Sequence, residues 1–198
     1  MRWLATLLLL LLLAASYLLP LTEWGQRGSE AWARTDVAGA FARTGELLPE
    51  FALQTLEGEP LQLETLRGKR VLLTFERSID WCPPTKERLV ELRASFARQD
   101  DVEIVWVMAE QQINAKARRF IDGMGLEPRV HFATDPGGVA VDALGIRKAR
   151  ASKQEAGIPH PATYLLDREG VVRFADVRED FRFWVAPSLL QNALREIP

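Results

Sequence analysis

Short apolar runs alternate with amphipathic segments along most of the chain. The runs KRVLLTFE, VEIVWVMA and RVHFATD are short and rich in β-branched and aromatic residues, which predicts three buried strands, and two shorter strands flank the turn at Glu57 and Gly58. Apolar residues at helical spacing predict helices in CPPTKERLVELRASFARQ, INAKARRFIDGMG and GGVAVDALG. A hairpin, ATYLLDREGVVRFADV, and an amphipathic helix, APSLLQNALREI, follow. This order predicts an α/β sandwich around a mixed central β-sheet.

The amino-terminal segment has a different pattern, an apolar stretch without charge. No charged side chain occurs between Arg2 and Glu23, a gap of 20 residues. A helix needs ~20 apolar residues to cross a bilayer, so residues 1–22 are predicted to form a signal-anchor transmembrane helix. A cleaved signal peptide that ends in the small residues 14–16 is the alternative. Both interpretations export the rest of the chain across the membrane.

The remaining sequence divides into a tether and a folded domain. Residues 23–44 mix glycine, charges and scattered apolar side chains, which predicts a linker, and residues 45–198 carry the strand and helix patterns of one domain. The formal net charge of -2, from 25 Lys and Arg against 27 Asp and Glu, offers no basic excess, so nucleic acid is not predicted as a partner.

Cofactor and metal signals are missing from the sequence. The potential soft ligands are the single cysteine, Cys82, and two histidines, His131 and His160, and they stand far apart without ligand spacing. His131 lies within an apolar strand and is predicted to be structural. No glycine-rich phosphate loop occurs either. The sequence therefore predicts neither a metal nor a cofactor.

The only cysteine occupies a junction between a predicted strand and a predicted helix. A single cysteine cannot form an internal disulfide, and Cys82 directly precedes Pro83 and Pro84, which suit the start of a helix. The field of a helix amino terminus stabilises a thiolate, and Arg77 is a nearby candidate cation. Trp81 is predicted to shape the pocket. We therefore expect a reactive thiol at a surface or cleft position; a buried, inert cysteine is the alternative.

Two motifs resemble a known family. DWCPPT at the head of a helix and GIPHPATYLLDREGVVRF near the end are similar to the thioredoxin-fold redoxins, in the peroxiredoxin-like branch with alkyl hydroperoxide reductase and thiol-specific antioxidant proteins. The resemblance covers residues 45–197 and implies a thioredoxin-like three-layer sandwich. It also implies that Cys82 is the attacking cysteine, that Pro161 is a cis-proline opposite it, and that His160 and Thr163 border the same cleft.

The sequence departs from the family at two places. Thr85 stands where relatives with WCPxC carry a second cysteine, so an intramolecular dithiol cycle is unavailable, and we expect Thr85 to donate a hydrogen bond to the sulfur. Peroxiredoxins also carry proline and then threonine or serine upstream in PxxxTxxC, where this chain has Phe75 and Ile79. Activity on peroxides is therefore less strongly implied than the fold.

The sequence predicts a membrane-tethered, extracytoplasmic thiol oxidoreductase or antioxidant, periplasmic by resemblance to the family. Attack of the Cys82 thiolate on a peroxide gives a sulfenic acid, and attack on a disulfide gives a mixed disulfide. The predicted partner is an external thiol reductant, either a small thiol or a thioredoxin-like protein. Two alternatives stay open: a redox-inactive module that binds peptides or proteins, and an intermolecular disulfide through Cys82.

Overall fold

The computed structural model describes residues 37–96, 99–109, 113–125, 129–148 and 158–198 of the chain, with six positions near the amino terminus. Those six, all helical, are Ala5, Thr6, Leu8, Leu11, Leu12 and Ala14. The chain divides into two compact units, Met1–Thr35 and Asp36–Pro198, and the elements below belong to the second.

The described elements follow the predicted alternation. The strands are β1 (Ala52–Thr55), β2 (Pro60–Gln62), β3 (Arg70–Glu76), β4 (Val102–Met108), β5 (Val130–Thr134), β6 (Ala162–Leu166) and β7 (Val172–Val177). The α-helices are α1 (Pro83–Phe96), α2 (Ala115–Gly123), α3 (Val139–Ala143) and α4 (Pro187–Glu196). Single 3-10 turns span Leu63–Leu66 and Pro136–Gly138.

One mixed sheet joins the strands in the order β2, β1, β5, β4, β3, β6, β7. The central strands β3, β4 and β5 are parallel because α1 and α2 carry the chain back between them, whereas the flanking pairs are antiparallel. The register sets Phe75 of β3 opposite Ala162 of β6. The carboxyl end of β3 therefore meets the start of β6, where the segment containing Pro161 enters the sheet.

Two apolar cores cover the faces of the sheet. Alternate residues of β3 point to opposite faces, so Leu72 packs with α1, α2 and α4, while Leu73 packs with α3 and the segment before β1. Trp106 is fully buried on the α1 face. The predicted three-layer sandwich is confirmed.

Part of the predicted linker packs on the domain. Phe41 N donates to Leu144 O at 2.7 Å, and its carbonyl accepts from the Tyr164 hydroxyl at 3.0 Å. Burial raises the pKa of Tyr164 far above its ordinary value, so this hydroxyl stays a donor at neutral pH. Since apolar side chains of residues 37–44 also contact the core, these residues belong to the compact unit rather than to a tether.

The predicted signal-anchor over residues 1–22 falls almost entirely outside the described residues, as does the predicted linker up to residue 36. Among the helices of the described part, none combines the length and the hydropathy needed to cross a bilayer.

Candidate active site

A tight turn between β3 and α1 presents the cysteine. Cys82 is the last residue before α1, and its carbonyl accepts the first helical hydrogen bond, from Lys86 N at 3.4 Å. Its own N–H donates to Ser78 O at 3.3 Å. The Ser78 hydroxyl accepts from the backbone N–H groups of Asp80 at 3.0 Å and Trp81 at 3.3 Å. Ser78 therefore fixes the conformation of the turn that carries Cys82.

The side chain of Cys82 points inward. Its exposed fraction is 3%. It is the first member of a buried stripe at helical spacing along α1, whose other members are Thr85, Arg88, Leu89, Leu92 and Phe96. The predicted surface or cleft position is therefore wrong, because the side chain of Cys82 continues the buried stripe of α1. The predicted position between strand and helix is confirmed.

Two prolines reduce the number of donors at the start of α1. Pro83 and Pro84 are the first two helical residues and have no N–H, so Thr85 supplies the first amide donor of the helix. Thr85 is buried one turn after Cys82. The hydrogen bond from its hydroxyl to the sulfur stays a prediction.

Arg77 is held between two aromatic rings. Its guanidinium carbon lies 4.9 Å from the centroid of Trp81 and 3.9 Å from that of Phe181. Trp81 is half exposed, whereas Arg77 is buried. These cation–π contacts connect the Cys82 turn to the segment that follows β7. The predicted site residues Arg77 and Trp81 are thus neighbours.

Asp80 attaches the same turn to the start of α2. Its carboxylate accepts from Asn114 Nδ2 at 2.7 Å and pairs with Lys116 Nζ at 2.7 Å. Hydrogen bonds from Lys116 and Asn114 hold the pKa of Asp80 below its ordinary value. The turn is therefore anchored on the α2 side as well as on the Phe181 side.

The segment before β6 lies at the same end of the sheet as this turn. Pro161 O accepts from Arg178 N at 2.9 Å, and His160 N donates to Ile146 O at 2.7 Å. No peptide bond among the described residues is cis, so the expectation of a cis-proline at Pro161 is wrong. The trans form is the intrinsically preferred isomer, and both backbone hydrogen bonds form with it.

His160 is partly buried in this segment. Burial, with a contribution from Lys148, lowers its pKa below the ordinary value, and contacts with Arg178 and Glu179 oppose the shift only in part. The imidazole is therefore neutral at neutral pH. Its Nδ1 is buried and makes no hydrogen bond to the described part of the chain.

Thr163 belongs to a buried polar cluster. Its hydroxyl accepts from Arg88 Nη2 at 2.7 Å and lies 3.4 Å from the hydroxyl of Thr74, which donates to Glu76 Oε1 at 2.9 Å. Burial raises the pKa of Glu76 above its ordinary value, while Arg88 and Thr74 oppose the rise. Thr163 therefore contributes its hydroxyl to this buried cluster, near the end of the sheet that carries the Cys82 turn.

Glu76 and Arg88 were not among the predicted site residues, although they lie in the site region. The signal was present, because Arg88 falls on the apolar stripe between Thr85 and Leu92, and Glu76 ends an apolar strand. A charged residue at a position that helical spacing assigns to the core requires a buried partner. No group of residues that could hold a metal ion occurs in the described ranges.

Comparison with known proteins identifies the family. The model of the AhpC/TSA family matches residues 44–175. The chain belongs to the AhpC/TSA family. This membership confirms the resemblance found in DWCPPT and in the segment around Pro161.

Two curated relatives match much of the chain. Thiol-disulfide oxidoreductase ResA of Halalkalibacterium halodurans is 31% identical over 135 residues, 67% of this chain and 68% of that protein. Thioredoxin-like protein YneN of Bacillus subtilis is 27% identical over 175 residues, 87% of each protein. The predicted class of thiol oxidoreductases is confirmed at the level of the family.

A solved structure shares the fold. Thiol peroxidase from Chromobacterium violaceum superposes with a TM-score of 0.67 and 20% identity over 81% of this chain and 90% of that one. This likeness confirms the predicted thioredoxin-like α/β fold with a mixed sheet.

Proposed function

We propose that this protein is a single-cysteine thiol–disulfide oxidoreductase in which Cys82 is the nucleophile. The observation that carries the proposal is the placement of the only cysteine directly before α1, at the end of the sheet where the Pro161 segment enters. Family membership and the name of the ResA relative support the same chemistry.

The reaction needs one thiol in the protein and one outside it. The Cys82 thiolate attacks one sulfur of a substrate disulfide, the substrate S–S bond breaks, and the leaving thiolate takes up a proton. An external thiolate then attacks the substrate sulfur of the mixed disulfide and releases Cys82 as a thiolate. Thr85 cannot replace this second thiol, since a hydroxyl does not form a disulfide.

Disulfide exchange is favoured over peroxide reduction by the residues around the turn. Ile79, at the place of the peroxiredoxin threonine, is fully buried and apolar, and Phe75 replaces the proline. The hydroxyl of Ser78 already accepts two backbone hydrogen bonds within the turn. The turn therefore lacks the side chains that peroxiredoxins use in PxxxTxxC.

Access to the sulfur requires the turn to open. Cys82 is 3% exposed, whereas the adjacent Trp81 is 50% exposed. Local opening costs less free energy than global unfolding, so this turn can open while the rest of the domain stays folded. We propose that a disulfide-bearing partner displaces Trp81 to reach Cys82.

A second candidate is a redox-inactive binding module of the same fold. The burial of Cys82 is the observation that favours it, since free cysteine is often a small buried apolar residue.

We also propose that the protein is tethered to the membrane by the apolar segment 1–22 and that its domain is exported to the periplasm.

The decisive experiment exposes the full chain in detergent to excess oxidised glutathione. Intact-mass and peptide mass spectrometry should find one glutathione on Cys82, and reduced glutathione should release it. A parallel sample receives hydrogen peroxide and a sulfenic-acid trap, which should label Cys82 weakly.

The control is Cys82→Ser, which should take up no glutathione. A folded wild-type protein that forms no mixed disulfide would refute the catalytic proposal and support the binding module. Strong sulfenic-acid labelling without a mixed disulfide would instead assign the protein to peroxide chemistry.

A further inference from the structure

One buried guanidinium joins α1 to three other parts of the domain. Arg88 lies six residues after Cys82, ~9 Å along the helix, and is 2% exposed. Its Nε donates to Glu76 Oε1 at 2.6 Å, its Nη2 to Thr163 Oγ1 at 2.7 Å and its Nη1 to Val185 O at 3.4 Å. These acceptors stand at the end of β3, near the start of β6 and in the segment before α4.

Burial of apolar surface does not require a charge at this position. Leu89 and Leu92 fill neighbouring positions of the same helix face with aliphatic side chains. Well-packed apolar residues often replace a buried ion pair without loss of stability, because the pair carries a large desolvation cost. The Arg88–Glu76 pair therefore stabilises the fold little more than a well-packed apolar pair would. What distinguishes it from an apolar pair is its fixed geometry.

The geometry of the pair constrains the helix that begins after Cys82. A guanidinium is planar, and its donors point in fixed directions, so all three hydrogen bonds form at one placement of α1 relative to β3 and β6. A shift of α1 along the sheet lengthens the bonds to Glu76 and Thr163 together. Because β3 leads into the Cys82 turn and β6 follows Pro161, this placement also sets the sulfur relative to the Pro161 segment.

We propose that Arg88 is a positioning residue for Cys82, which fixes the amino-terminal half of α1 against the ends of β3 and β6 through Glu76 and Thr163. The inference rests on the proposed thiol–disulfide exchange for its catalytic meaning. Arg88 keeps the sulfur buried at the carboxyl end of β3 until a partner opens the turn. It acts through Cys82 and does not touch the substrate.

The test compares Arg88→Met and Arg88→Lys with a matched control, Arg70→Met, in the full chain. Arg70 also donates to two partners, Leu194 O at 2.6 Å and Asp101 Oδ1 at 2.8 Å. It stands at the opposite end of β3 from the Cys82 turn. For each variant, urea unfolding gives the stability, iodoacetamide gives the alkylation rate of Cys82, and glutathione disulfide gives the exchange rate.

Arg88→Met should raise the alkylation rate about tenfold or more and lower the exchange rate by a similar factor, because a misplaced sulfur is more accessible but poorly aligned. Arg70→Met should change neither rate at a comparable loss of stability. A lysine keeps the charge and reaches one acceptor, so Arg88→Lys should give intermediate rates. If Arg88→Met does not fold, the rates of Arg88→Lys are compared with those of Arg70→Met instead.

Equal rates for the Arg88 and Arg70 variants would overturn the inference and leave Arg88 with a purely structural role. Failure of the proposed function gives a different result. In that case the wild-type protein forms no mixed disulfide, while the alkylation rates still report whether Arg88 holds Cys82 in place.

Discussion

The buried carboxylate of Asp167 stabilises the β6–β7 hairpin through three hydrogen bonds, and substitutions at this position measure their contribution. Its side chain is fully buried, and Oδ1 accepts from Glu169 N at 3.0 Å and Val171 N at 2.9 Å, while Oδ2 accepts from Arg173 Nε at 2.7 Å. Asp167→Asn keeps one carbonyl oxygen for the two backbone donors and loses the bond to Arg173. Hydrogen bonds to charged groups contribute ~1.5–3 kcal/mol, so we expect a loss of about 2 kcal/mol.

Asp167→Ala removes every acceptor and leaves the two backbone N–H groups without a partner. Each of these two lost hydrogen bonds contributes ~0.5–1.5 kcal/mol in addition to the bond to Arg173, so the expected loss is about 3–5 kcal/mol in total. Urea unfolding followed by tryptophan fluorescence measures both variants at neutral pH. Equal stabilities of the asparagine and alanine variants would refute this division between the two oxygens.

The pH dependence of stability provides an independent check on Asp167. Burial alone would raise its pKa, but hydrogen bonds from Val171, Arg173 and Glu169 outweigh burial and hold the pKa below its ordinary value. The folded protein therefore binds fewer protons than the unfolded chain below about pH 4, and the stabilisation present above that pH is lost as the pH falls through the folded pKa. Asp167→Asn should flatten this acid loss; an unchanged slope would contradict the reasoning.

Two further predictions concern the protonation of His160 and the packing of residues 37–44 on the domain. Because the folded pKa of His160 is lowered, stability should fall as the pH drops below ~6.5, and His160→Gln should reduce that fall in urea titrations. At Gly145, φ is +62° and an added Cβ would lie 2.3 Å from Gly39 O, so Gly145→Ala should cost about 1–3 kcal/mol. Gly123 lies in α2, and an added Cβ there would have no heavy atom within 4 Å, so the control Gly123→Ala should stabilise the protein by ~0.5–1 kcal/mol. Similar effects of Gly145→Ala and Gly123→Ala on stability would argue against the packing of residues 37–44.

The helices and strands were predictable because their signals are local. The helical spacing of Leu89, Leu92 and Phe96 predicts α1, and all three residues are buried. Gly125 follows α2 with positive φ, as expected for a residue that ends a helix. The hairpin turn after Leu166 also forms where the sequence predicts it.

Periodicity assigns Arg88 to the inner face of α1, but it does not identify the partners of Arg88 in the buried polar cluster. Only the fold shows that Arg88 reaches Glu76 and Thr163. The sequence separations of 12 and 75 residues mean that no local pattern reports these contacts. The same holds for Phe181, which lies far along the chain from Arg77.

The sequence alone determined the family, the sheet-forming and helix-forming segments, and the single cysteine before a helix, because composition, spacing and motif are properties of neighbouring residues. The tertiary structure decided how deeply Cys82 is buried, that the bond before Pro161 is trans, and which charges share the interior. Each of these depends on which side chains meet across the sheet. That is fixed by the free energy of packing distant segments together, to which local preference contributes little.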